Sequence, residues 1–168
     1  MASSSSFDVT TGVDMMEVNN AVDQTTKEVT QRFDFKGITV GIELDAKANT
    51  ITLTAPDDFK LQAVWDVLQS KMIKRKVPIQ NLKPGKSEGA AGMSVRQSIE
   101  LVSGFSSDQC RDIVRYLKDH KLKKVQSSIQ GDMVRITSPD KDSLQEVMTL
   151  LRKHDFGAEL KFGNFRTN

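Results

Sequence analysis

The chain has 168 residues, 38% hydrophobic and 27% charged, with 24 Lys and Arg against 22 Asp and Glu for a net charge of +2. This balance fills the core of one ordinary domain or two small ones, and excludes attraction of nucleic acid by overall charge. The single cysteine, Cys110, excludes an internal disulfide; no apolar run approaches the ~18 residues of a membrane span and "MASSSSF" lacks a signal-peptide core, so the expected location is cytoplasmic, with no membrane partner.

In chain order, "SFDVTTGV" reads as a strand, and Asp14 with Glu17 forms a D-x-x-E start signal for a long helix. Its apolar face runs through Met15, Val18, Val22, Val29 and Phe33, so Phe33 is expected to close a core. In "QRFDFKG", Phe35 falls past the helix end, and Arg32 and Lys36 flank the two rings with donors suited to a phosphate or a carboxylate. "ITVGIEL" alternates strictly at Ile38, Val40, Ile42 and Leu44, the pattern of a half-buried strand. "DAKAN" turns it back into "TITLT", and a helix from about Asp57 to Arg75 follows, with Leu61, Val64, Trp65, Leu68 and Met72 inward.

"KPGKSEGAAGM" (83–93) is glycine-rich and reads as a linker. Beyond it, "SVRQSIELV" is a strand and Ser106 opens a helix that buries Cys110, Ile113, Val114 and Leu117. "KVQSSIQ" and "MVRIT" are joined by Gly131-Asp132, a two-residue hairpin signal. A helix from about Asp140 to Lys153 presents Leu144, Val147, Met148 and Leu151, and "ELKF" is a candidate closing strand before "FGNFR".

The halves are copies of one pattern. "TITLTAPDDFKLQAVWDVL" (50–68) aligns without a gap on "MVRITSPDKDSLQEVMTLL" (133–151), with Thr54/Thr137, Pro56/Pro139, Asp57/Asp140, Leu61/Leu144, Gln62/Gln145, Val64/Val147 and Leu68/Leu151 identical. The order strand, helix, strand, strand, helix, strand is that of a split β-α-β motif. The expected fold is therefore α+β: two tandem ferredoxin-like sandwich domains, 1–82 and 94–168, separated by the linker.

Catalytic groups are scarce. His120 and His154 sit in basic helix ends without an orienting carboxylate, Cys110 lies on an apolar face, and there is no Walker loop, HExxH or CxxC. An enzyme is not expected, nor a metal or cofactor. Two basic clusters stand out: Lys74, Arg75 and Lys76 (with Lys71) at one helix end, and Lys121, Lys123 and Lys124 (with Lys118) at the other. They read either as compensation of the helix dipole or as contacts to phosphate and RNA. Neither "TITLTA" nor "DMVRITS" carries the aromatics on which RNA-recognition domains stack bases. The candidate stacking groups are instead Phe35 and Phe165, with Arg32, Lys36, Asn164 and Arg166 beside them.

"SFDV…VDMMEVNNAVDQTTKEVTQRFDFKG" and the closing "FGNFR", with "DDFKLQAVWDVLQSKMIKRKV" and "KKVQSSIQGDMVRITSPDKDSLQEVM" between them, closely resemble bacterial YajQ-like proteins from Ser6 to Arg166. "TTG" departs from the acidic or Ser-Glu pair that the family usually carries after its first strand. The resemblance implies two ferredoxin-like domains that exchange their first strands, so that residues 7–13 complete the second sheet and 95–102 the first. It also implies a non-enzymatic nucleotide-binding protein. Its nucleotide would be cyclic di-GMP, GTP or ATP, with a role for some members as cyclic di-GMP effectors acting on a transcription regulator. Affinity for transfer RNA through the paired lysine clusters is the alternative. Carried over by motif, the nucleotide-binding candidates are Arg32, Phe35, Lys36, Asn164, Phe165 and Arg166.

Overall fold

The computed structural model describes residues 4–167; the outermost residues of the expected domains, 1–3 and 168, lie outside it. Along the chain run β1 (Ser5–Thr10), α1 (Met15–Gln31), β2 (Gly41–Asp45), β3 (Thr50–Ala55), α2 (Asp58–Lys74), β4 (Leu82–Pro84), β5 (Glu88–Gly89) and β6 (Val95–Leu101), then α3 (Ser107–Asp119), β7 (Gln126–Gln130), β8 (Met133–Ser138), α4 (Lys141–Arg152) and β9 (Lys161–Thr167). Two compact units result: unit 1 joins the first twelve residues to everything from Ser103 onward, and unit 2 is Val13–Val102.

Unit 2 has an antiparallel sheet in the order β2-β3-β6-β4, with β5 also paired to β6. The glycine-rich stretch expected as a linker, 83–93, thus supplies sheet edge to β6. Helices α1 and α2 pack their apolar stripes (Val18, Val22, Val29; Leu61, Val64, Leu68, Met72) on Ile51, Leu53, Ile99 and Leu101. Asp14 caps α1 through Met16 N–H and Asp57 caps α2 through Lys60 N–H, satisfying amides that the first helical turn leaves orphaned. The strand read from Ile38 begins only at Gly41, because the 3-10 turn Phe33–Phe35 and Gly37, at φ 77°, occupy the chain before it.

Unit 1 has the antiparallel order β7-β8-β1-β9, so the first strand of the chain lies between strands drawn from its last forty residues or so. Phe7 and Val9 point inward with Val134 and Ile136 under Ile113, Leu117, Val147 and Leu151. Ser106 and Gln109 form a reciprocal capping box at the start of α3. Gly131, at φ 65°, turns β7 into β8 at the expected hairpin. Cys110 is fully buried, and burial, with the Asp132 charge behind it, pushes its thiol up, away from the reactive thiolate. Both histidines stack on Tyr116, His120 at 4.3 Å and His154 at 4.8 Å between ring centroids.

Two lysines of the basic clusters close helices in the left-handed region, Lys76 at φ 61° after α2 and Lys121 at φ 50° after α3. A side chain there is crowded by its own backbone, and glycine is not. Lys76→Gly and Lys121→Gly are each expected to raise the melting temperature, by roughly 2–4 °C, in a calorimetric scan.

Candidate functional site

Each unit carries one margin where rings and cations meet. In unit 2, α1 ends at Gln31 and Arg32 leaves the helix with extended backbone (ψ 136°), which breaks the 3.6-residue period before Phe33. The 3-10 turn then exchanges the expected positions of the two rings. Phe33 is 88% exposed, and Phe35 is buried at 4% exposure in the core with Val29 and Leu61. The expectation that Phe33 closes the core and Phe35 borders a surface is corrected accordingly.

The surroundings of Phe35 are already occupied. The Arg32 guanidinium lies 5.3 Å from its centroid and the Lys60 ammonium 5.0 Å. Arg32 also donates to both oxygens of Asp34 at 3.0 and 2.8 Å, and these hydrogen bonds hold the Asp34 carboxyl below the ordinary aspartate value. An incoming phosphate would compete with Asp34 for Arg32. Lys36 is exposed just beyond the turn.

Two residues that the sequence reading missed belong to this margin. Lys60, from the first turn of α2, donates to the Asp34 carbonyl and lies 5.9 Å from the ring of Phe59, itself 79% exposed. The available signal was positional. Phe59 falls off the inward stripe of α2, and its counterpart in the repeat is Asp142.

In unit 1 the margin is built by a β-bulge. Ser6 stands opposite Arg166 and Asp8 opposite Gly163, so Asn164 and Phe165 together oppose Phe7. Asn164 takes up the extra residue at φ 54°, a conformation that Asn tolerates better than most side chains. Without it, strict alternation from the inward Phe162 would send Phe165 to the other face of the sheet. With it, Phe165 lies 5.9 Å from Phe7 on the side covered by α4, and stays 62% exposed.

The bulge also separates the three predicted residues by role. Asn164 donates to Asp8 at 2.6 Å, and Arg135 donates to the other Asp8 oxygen at 2.9 Å. Arg166 joins this group, its Nε donating to Asn164 Oδ1 at 3.4 Å, and also borders a cavity of about 230 Å³ that Phe165 lines with Leu144, Met148 and Lys141, the first residue of α4. Ligand pockets usually span roughly 300–1,000 Å³, so this one has room for a base and its nearest phosphate but not for a dinucleotide. Its walls combine the apolar Leu144, Met148 and Phe165 with the polar Ser5, Ser6, Gln145 and Thr167, and Lys141 and Arg166 add positive charge, a combination suited to a planar ring that carries negative charge.

The basic clusters differ between the units. Around α2, Lys71 pairs with Glu28 at 2.9 Å and Arg75 with Glu17 at 3.6 Å, which ties them to α1. Lys74 and Lys76 form no ion pair among the described residues, although the Lys74 charge joins those of Lys71 and Arg32 in lowering the pKa of the Glu28 carboxyl, and Lys121, Lys123 and Lys124 of unit 1, all three exposed, form none either. No helix is long and apolar enough to cross a membrane among the described residues.

A family model described as nucleotide-binding protein YajQ-like matches residues 5–166. Among curated proteins, the chain is 50% identical over 163 residues to a nucleotide-binding protein of Solibacter usitatus, covering 97% of this chain and 98% of that one. It is 51% identical over 166 residues to a nucleotide-binding protein of Desulfitobacterium hafniense, covering 99% and 100%. A third such protein, from Koribacter versatilis, is 46% identical over 163 residues, covering 97% and 98%.

Proposed function

Because this chain belongs to the YajQ-like family, we propose that it is a non-enzymatic cytoplasmic nucleotide-binding protein whose unit 1 margin receives the base. Relatives aligned over almost their whole length are named for nucleotide binding, and the cavity under Phe165 has the chemistry for it. In this reading the base lies against Phe165 between Leu144 and Met148, and its phosphate meets Lys141 and Arg166 at the positive end of α4. Asn164 contributes by holding the bulge through Asp8. The remainder of the nucleotide (cyclic di-GMP, GTP or ATP) lies outside the small cavity. Occupancy is a signal passed to a transcription regulator, as in a cyclic di-GMP effector. Both units are ferredoxin-like sandwiches with exchanged first strands in this proposal. The orders β7-β8-β1-β9 and β2-β3-β6-β4 support it, since β1 and β6 take equivalent inner places.

Isothermal titration with cyclic di-GMP, GTP and ATP tests the site. Phe165→Ala removes the stacking face and is expected to weaken binding by about 1–3 kcal/mol. Arg166→Ala removes a charge-assisted contact and weakens it by roughly tenfold or more. Unchanged affinity in both variants would remove the nucleotide from this margin.

A second reading, transfer RNA held by Lys121, Lys123 and Lys124, is favoured by the absence of carboxylate partners for these lysines among the described residues. It requires affinity that falls steeply with salt and drops further when the three are replaced by Gln.

A further inference from the structure

Among the described residues the edges of the two sheets are formed by five strands, β2, β4 and β5 in unit 2 and β7 and β9 in unit 1. An open edge is a template for foreign strands, and proteins blunt it with charge, proline or a bulge. Four of the five are blunted: β2 carries Glu43 and Asp45, β4 carries Lys83 and Pro84, the two-residue β5 carries Glu88, and β9 carries its bulge with Lys161 and Arg166. β7 reads Gln-Ser-Ser-Ile-Gln, without a charge, a proline or a break in register against β8. Among the described residues, no backbone hydrogen bond from outside its ladder with β8 reaches it.

Beside this bare edge runs a groove of about 270 Å³ between β7 and α3, lined by Arg111, Val114, Arg115, Lys118 and Ile129. Ile129 is opposite the buried Val134, hence on the side covered by the helices, yet it is 44% exposed. Arg111 and Arg115 pair only with Asp108 and Asp112 of their own helix, and Lys118 with no carboxylate among the described residues. The groove has space for side chains and not for a whole ligand.

We propose that β7 and the groove beside it form a docking site for an extended acidic segment of another protein, which adds to the sheet as a fifth strand. Main-chain pairing along β7 supplies affinity. Every second side chain of the added strand falls on the α3 side, where an apolar residue covers Val114 and Ile129 and its acidic neighbours meet Arg111, Arg115 and Lys118. A second copy of this chain is disfavoured, because pairing β7 with its own image would set the α3 cations of both copies against each other. RNA is disfavoured because the groove holds no aromatic ring for a base, while a row of strand amides matches a polypeptide repeat.

The test uses the full chain labelled with nitrogen-15 and two blocked eight-residue peptides. One alternates valine and isoleucine with aspartate and glutamate, and the other carries lysine and arginine in place of the acids. The acidic peptide is expected to move amide resonances of β7 and α3, saturating below millimolar concentration, and the basic peptide is not. Reversing exposed charge with Arg115→Glu and Lys118→Glu, which leaves the core untouched, is expected to weaken the acidic peptide by about tenfold or more. Ser127→Pro, which removes an amide pointing away from β8 and spares the native ladder, is expected to abolish its binding. Any of four results overturns the proposal: no shifts with the acidic peptide, equal response to both peptides, unchanged affinity after charge reversal, or displacement of the peptide by an oligouridylate. Sedimentation showing a dimer that Ser127→Pro dissolves would assign the edge to self-association, and overturns it equally.

Discussion

Replacing Phe7 with alanine is expected to cost unit 1 about 3–5 kcal/mol, the usual price of emptying a buried phenylalanine site. The side chain is fully buried, meets Phe162 edge-on at 5.6 Å, and belongs to a strand that pairs on both sides, with β8 and with β9. Ile99→Ala is the matching change in unit 2, where β6 pairs with β3 on one side and with β4 on the other; its cost is about 2–5 kcal/mol. Hydrogen exchange read by mass spectrometry distinguishes local from long-range effects. Phe7→Ala is expected to deprotect β8, β9, α3 and α4, which lie about a hundred residues or more away in sequence, before it deprotects α1, which starts eight residues on. Ile99→Ala is expected to act first on β3, α1 and α2. Loss of protection in α1 ahead of β8 in Phe7→Ala would contradict the pairing of β1.

The second large effect concerns Asp8 and acid. Its carboxylate is buried in the sheet, accepting from Arg135 and Asn164. Burial pulls its pKa upward, but the hydrogen bonds from Arg135 and Asn164 and the charges of Arg135 and Arg166 outweigh it, and the carboxyl is held below the ordinary aspartate value. A depressed pKa means that the folded state releases this proton more readily than the unfolded chain. The stabilisation is complete above the unfolded value of about 3.9 and is lost as pH falls through the lower folded one. Asp8→Ala is expected to destabilise unit 1 by about 1.5–3 kcal/mol at neutral pH, the worth of hydrogen bonds to a charged group, and by less below pH ~3. Arg135→Ala removes both the hydrogen bond and the charge of Arg135 and leaves only Asn164 and Arg166 to oppose burial, so the loss of stability with acid is expected to be shallower in that variant. Urea denaturation at a series of pH values measures both slopes; parallel profiles in wild type and Arg135→Ala would refute the assignment.

The two margins differ in how legible they are. Phe165 and Arg166 could be named from "FGNFR", but their common cavity with Lys141 and Met148 depends on the bulge at Asn164, which a sequence read by strict alternation does not reveal. Phe33 fits the helical stripe by spacing, yet it is exposed because Arg32 turns extended and Phe35 takes the buried place. Lys60 joins that margin through contacts with a turn more than twenty residues earlier, and Phe59 through Lys60; in the sequence only the place of Phe59 off the inward stripe of α2 hints at it.

Local order sufficed for the rest. Capping residues, apolar periods and the Gly131-Asp132 turn determine four helices and most strands, because each depends on side chains within one or two turns of the same segment. The duplication likewise lies open in the string from 50 to 68 and its copy from 133 to 151. Which strand pairs with which was decided only in three dimensions. An amphipathic strand such as "FDVT" satisfies its ladder and buries its inner face equally well in any sheet with a vacant inner place, so its destination follows from long-range packing and not from its own letters.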